Sequence, residues 1–224
     1  MRTQVKRSLT IVGAFVLVLV GVFALGAFTG EPQGSEGATV AAGETRLVRE
    51  DSHVLGAEAE TGVTFVEFLD FECEGCRAAY PAVEQLREEY AGRVTFVARY
   101  FPMPGHVNGE RAARAVEAAA RQGAFEDMYH RMYRTQGQWG DQQTPHDELF
   151  ASFAEDLGLD LEQWRADYED PATAERVAAD MADGRALGVQ GTPTFFVDGQ
   201  PLQPRTYDDL TDALDAALTD APSR

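Results

Sequence analysis

Cysteine is almost absent from this chain, with two in 224 residues, Cys73 and Cys76. A framework of several disulfides is thereby excluded, as is a four-cysteine metal site within one chain. Lysine is rarer still, represented by Lys6 alone. Positive charge as a whole is scarce, since 19 basic residues face 37 acidic ones and the net charge is −18. Three of those bases (Arg2, Lys6, Arg7) lie in the N-terminal tip, so the chain beyond residue 28 carries 37 acids against 16 arginines. Such a balance excludes binding nucleic acid or an anionic membrane surface through a basic patch. No internal repeat is visible.

Charge is missing altogether from residues 8–28, SLTIVGAFVLVLVGVFALGAF. About 20 such residues are enough to cross a bilayer. The basic flank before them predicts a cytoplasmic N-terminus and an exported remainder. Two readings stay open, a cleaved signal peptide and a permanent single-pass anchor. The run is longer than a usual signal core, and its best small-residue site, Ala24-Leu25-Gly26, lies inside it, which favours the anchor. Residues 29–45 are small, Gly-rich and weakly hydrophobic, as expected of a flexible tether.

The remainder has the apolar and aromatic content of a globular domain of ordinary size. Val63–Leu69 is apolar on both alternating faces, which predicts a central strand covered on each side. After Cys73-Glu74-Gly75-Cys76, residues Cys76, Tyr80, Val83, Leu86 and Tyr90 recur at helical spacing. Val94–Ala98 is a second strand, so this β-α-β order predicts a parallel pair. Between about 106 and 187 the chain reads as four or five helices, over 110–121, 125–133, 147–157, 161–168 and 172–187. Thr194–Val197 is a further strand followed by an Asp198-Gly199 hairpin turn, and Tyr207–Leu218 a closing amphipathic helix. Trp139 and Trp164 are expected to be packing anchors, and His106 a surface or capping residue.

Three roles compete for the cysteine pair. A structural staple closing four residues is worth only about 2 kcal/mol, against about 3 for a fifteen-residue loop. A metal site lacks partners, because His53, His106, His130 and His146 are scattered along the sequence. A redox pair fits better. Residues i and i+3 in a first helical turn are close enough to form a disulfide. The first sulfur then sits at a helix N-terminus, where unpaired N–H groups and the helix dipole stabilise a thiolate.

With F-x-D-F-E-C-E-G-C at 68–76, Y-F-P-M-P at 100–104 and G-V-Q-G-T-P-T-F-F-V-D-G at 188–199, the chain resembles the DsbA-like branch of the thioredoxin-fold superfamily over residues 45–220. The resemblance implies an α/β thioredoxin-like core at 46–102 and 189–220, a helical insertion at 103–188, and an anchor or signal peptide at 1–28. It also implies that Cys73 attacks, Cys76 resolves, and Thr192-Pro193 forms a cis-proline loop offering backbone contacts to a bound peptide. Glu67, six residues before Cys73, is either an acid at a wet strand edge or a buried relay for the resolving cysteine's proton. The Glu74-Gly75 dipeptide replaces the Pro-His of the strongly oxidising members. Glu74 is expected to oppose the helix terminus and leave Cys73 less acidic than in those proteins. The implied reaction is thiol–disulfide exchange on exported cysteine-containing proteins, with no cofactor, no metal and no nucleic acid, and with a membrane redox partner. Oxidation is favoured by the exported compartment; an exported reductase or isomerase and a metal-delivery protein are the alternatives.

Overall fold

The computed structural model describes residues 46–221. The expected anchor at 1–28 and tether at 29–45 lie outside them. Among the described residues no helix is long and apolar enough to cross a membrane.

Five strands form one sheet in the order β1-β3-β2-β4-β5: β1 (His53–Leu55), β2 (Thr64–Leu69), β3 (Thr95–Tyr100), β4 (Thr194–Val197) and β5 (Gln200–Leu202). The expected β-α-β unit is present. β2 and β3 run parallel with Thr64 beside Thr95 and Leu69 beside Tyr100, joined through helix α1 (Glu74–Glu89). β4 pairs antiparallel with the other side of β2, which makes β2 central and buries Phe65 through Leu69. Asp198 and Gly199 take the positive φ angles of the hairpin turn, 46° and 82°, and β5 folds back on β4. β1, antiparallel to β3, has no counterpart in the sequence reading. At three residues it is too short to show a period.

The helical segment resolves into α2 (Gly109–Ala120), α3 (Phe125–Thr135), α4 (Asp147–Asp156), α5 (Leu161–Glu169) and α6 (Pro171–Ala186), and α7 (Tyr207–Asp220) closes the chain. α2 buries Ala112, Ala113, Ala115, Ala118 and Ala119, small side chains that let neighbouring helices approach closely. Trp164 is buried with its indole N–H on the Ala115 carbonyl at 3.1 Å. Trp139 is buried edge-on to Phe150. Both are packing residues.

The pleat sorts β2 between two cores. Phe65 and Leu69 join Cys76, Val83 and Leu86 of α1 and Leu210 and Leu214 of α7. Val66 and Phe68 join Val97, Phe101, Val189 and Phe196 on the other face. There, Arg99 of β3 is fully buried, with Nε 2.7 Å from Asp180 and Nη2 2.8 Å from Asp183 of α6. Its Nη1 donates to the carbonyl oxygens of Arg46 and Leu47. One guanidinium thus fastens α6 and the start of the described chain to the back of the sheet.

Candidate active site

Cys73 caps α1 in an extended conformation (φ −68°, ψ 123°), and Cys76 lies one turn inside. Both are free thiols, Cys73 partly exposed and Cys76 buried. Asp70 organises them through its backbone, for its carbonyl accepts the Cys73 N–H at 3.1 Å and its N–H donates to Cys76 Sγ at 3.5 Å. Thr192-Pro193, a cis bond, is brought opposite. The Cys73 thiol donates to the Thr192 carbonyl at 3.3 Å. Thr192 Oγ1 is buried and without a partner among the described residues, free to turn its proton toward the sulfur. Gly75 leaves room for this meeting, since a Cβ there would stand 3.3 Å from Pro193 Cδ and 3.5 Å from Cys73 Sγ.

The two thiols are driven apart. Cys73 is pulled down to about 5 by the hydrogen bond from Cys76, against its partial burial, with help from Thr192 and the N–H groups of Cys76 and Gly75. Cys76 is pushed well above the usual thiol value by burial, by the hydrogen bond with Cys73 and by the charge of Glu67. Glu74 is exposed and is not among the groups that dominate the Cys73 value. Water screens the charge of an exposed carboxylate.

Glu67 lies on the Phe65–Leu69 face and is 3% exposed, so the strand-edge alternative does not describe its environment. Burial, then the charges of Glu84 and Cys73, raises its pKa to about 8. The hydroxyls of Tyr129 and Tyr133 are buried nearby without partners among the described residues, and Glu67's charge raises the pKa of both. A buried acid poised near neutrality and coupled to Cys76 can exchange a proton with it.

Other residues around the pair have roles that the sequence reading did not assign. Gln136 is buried and donates to the carbonyls of Phe71 and Cys73 at 2.6 and 3.0 Å. Glu72, buried, accepts the Asn108 N–H at 2.6 Å. The Asp70 carboxylate accepts the Met103 N–H at 2.8 Å and His106 Nδ1–H at 2.5 Å. The acids of the D-F-E-C run thus bind the 103–108 segment against the site. The motif marked their positions, but their partners lie 33 to 36 residues away.

The thioredoxin family described as Thioredoxin_4 matches residues 49–216. The chain is a member of that family. Among solved structures, a thioredoxin-like oxidoreductase from Silicibacter pomeroyi is 32% identical, covers 79% of this chain and 98% of its own, and superposes with a TM-score of 0.66. BdbD from Bacillus subtilis shares the fold at 21% identity, covering 75% and 93% of the two chains with a TM-score of 0.66. The thiol-disulfide exchange protein alpha-DsbA2 from Wolbachia pipientis shares the fold at 20% identity, covering 80% and 94% of the two chains with a TM-score of 0.67. Similar curated sequences include a Na(+)/H(+) antiporter NhaA from Herminiimonas arsenicoxydans, 38% identical over 72% of this chain and 24% of its own length. An NhaA 3 from Salinispora tropica is 42% identical over 66% of this chain and 22% of its own. The chain matches less than a quarter of the length of either antiporter.

Proposed function

We propose that this protein is an exported, membrane-anchored thiol–disulfide oxidoreductase that forms disulfides in extracytoplasmic proteins. The observation that carries the reading is the placement of the two thiols, a partly exposed Cys73 at the N-terminus of α1 facing the cis Thr192-Pro193 bond and a buried Cys76 one turn inside; it lowers the first to about 5 and raises the second. A substrate thiolate attacks Cys73 of the Cys73–Cys76 disulfide, the S–S bond breaks, and Cys76 leaves with the electron pair. Glu67 hands Cys76 a proton as it leaves. The second substrate thiolate then attacks the substrate sulfur of the mixed disulfide and releases Cys73 as a thiolate, so two electrons pass from substrate to protein. The Thr192-Pro193 loop offers its backbone to the substrate chain.

Support for the oxidising direction comes from the thiolate. Stabilising it stabilises the reduced form and makes the disulfide the stronger oxidant. A value of about 5 falls between about 7 in thioredoxin and about 3.5 in DsbA. Support for export comes from the uncharged run at 8–28 behind three basic residues. A membrane redox partner would reoxidise the pair.

Cys76→Ser should accumulate mixed disulfides through Cys73 on non-reducing gels, and Cys73→Ser few or none. Equal trapping by both variants would remove the assignment of roles. A glutathione titration of the pair should return a potential between about −270 and about −120 mV. A value at or below the thioredoxin end would turn the proposal toward a reductase.

A further inference from the structure

Asp70 has two sets of partners. Its backbone contacts both cysteines (Cys73 N–H at 3.1 Å, Cys76 Sγ at 3.5 Å), and its fully buried carboxylate holds His106 Nδ1 at 2.5 Å. Three N–H groups converge on that carboxylate, those of Glu72, Met103 and the His106 ring. The carboxylate is seated against the first turn of α2. A Cβ at Gly109 would stand 2.8 Å from Asp70 Oδ1 and 3.2 Å from His106 Cβ. A side chain at Gly109 would collide with the pair. Because Nδ1–H is committed to Asp70, Nε2 is the atom that gains or loses a proton, and the ring is one-third exposed.

The surrounding charge gives this imidazole a task. Asp70 and Glu72 are carboxylates buried within three residues of Cys73, and the backbone of Asp70 contacts both cysteines. The dipeptide between the cysteines supplies no cation to offset these carboxylates. We infer that His106, oriented by Asp70, is a positioning residue of the redox site whose imidazolium offsets the buried carboxylate of Asp70, the residue whose backbone contacts both cysteines. The inference rests on the thiol–disulfide reading above. Partial burial disfavours the charged ring, but the hydrogen bond to Asp70 and the charges of Asp70, Glu72 and Cys73 outweigh it and raise its pKa above the ordinary value.

Coupling between two sites is reciprocal, and this yields a test that a purely structural clasp would not pass. Closing the Cys73–Cys76 disulfide removes the thiolate, so the His106 pKa, followed by NMR of the full-length protein, should fall on oxidation by about 0.5 to 1 unit. His106→Gln should raise the Cys73 pKa, read from the pH dependence of iodoacetamide alkylation, by the same amount. It should also move the glutathione equilibrium about three- to tenfold toward the disulfide. His106→Lys, which keeps a cation, should recover most of both changes. An identical His106 pKa in the two redox states overturns the inference, and that measurement stands even if His106→Gln fails to fold. Loss of exchange activity in the unaltered protein, with the reciprocal shifts intact, would instead overturn the proposed function.

Discussion

The two faces of the central sheet bury charge in opposite ways. Behind β3, Arg99 is enclosed with Asp180 and Asp183 and two backbone carbonyls. In front of β2, Glu67 is buried at 3% exposed, yet no described residue gives its carboxyl a hydrogen bond or a cation. Burial without a partner drives a carboxyl toward its neutral form, whereas burial with a partner fixes it as an anion. The back face is therefore a fastening, and the front face holds a group that can change protonation near neutral pH. Glu67 shares its face with Cys76, which is where a movable proton is useful.

The largest expected effect lies on the back. Removing one partner from a buried ion pair costs about 3–5 kcal/mol. Arg99→Leu should fall near the lower end, because Arg176 lies 2.5 Å from Asp180 and Arg49 lies 2.8 Å from Asp183. Urea unfolding at pH 7 measures it. Glu67→Leu, measured alongside, should be neutral or stabilising. If Glu67→Leu proves the more damaging of the two, the contrast between the faces fails.

The faces should also answer pH with opposite signs. The guanidinium groups of Arg49 and Arg99 outweigh the burial of Asp183 and hold its pKa below the usual 3.8. Its contribution is present above that value and lost on acidification. Glu67 is raised from 4.5 to about 8, so its contribution is full below about 4.5 and declines as pH rises to about 8. Glu67→Gln should flatten the alkaline decline and leave the acid limb untouched, as unfolding midpoints from pH 3 to 9 would show. The same variant should slow the step in which Cys76 gains or loses its proton by about a hundredfold, near the low end for general acid–base catalysis. Stopped-flow release of a Cys73 mixed disulfide checks this. A rate within twofold of the unaltered protein would deny Glu67 the relay.

What could be read from the sequence follows the same division between local and distant. The strand over Val63–Leu69, the helix through Cys76 and Leu86, and the side of β2 that carries Glu67 are written in contiguous residues, where a period of two or about 3.6 shows the face. The Cys73–Cys76 spacing is equally local. Thr192-Pro193 came from a motif resemblance, since nothing nearby in sequence connects it to a sulfur 119 residues away. Arg99 gave no sign of its aspartates, which lie 81 and 84 residues on. His106 reads as a surface or capping residue, because its partner Asp70 lies 36 residues before it. Pairing across such distances leaves no period in the sequence.

A smaller effect is expected where the front face meets the proline loop. Gly75→Ala sets a methyl group 3.3 Å from Pro193 Cδ and 3.6 Å from the Thr192 carbonyl. Alanine is better than glycine in a helix by about 1 kcal/mol, and crowding costs about 1–3, so the net change in stability should be small. The readout is Cys73. Displacing Thr192 carries away its side chain, whose hydrogen bond is one of the interactions that lower the Cys73 pKa, and a rise of less than about one unit is expected by alkylation.

The smallest effect should come from Glu74, the exposed acid that follows Cys73. Glu74 begins α1 and is exposed, so it tests whether proximity or burial decides what a carboxylate does to this site. A unit charge about 6 Å away is worth roughly 0.7 kcal/mol in water and about 3 at an effective dielectric of 20. These correspond to about 0.5 and about 2 pKa units. Exposure places Glu74 at the lower figure, and salt reduces it further. Glu74→Gln should thus lower the Cys73 pKa by no more than about 0.5 unit at low ionic strength, and by less in 0.5 M salt. Glu67, buried and farther along the chain, should respond to the redox state of the pair by more than that. A Glu74→Gln shift nearer two units, insensitive to salt, would mean that the dipeptide carboxylate is shielded from water after all. Proximity would then outrank burial in setting the chemistry of Cys73.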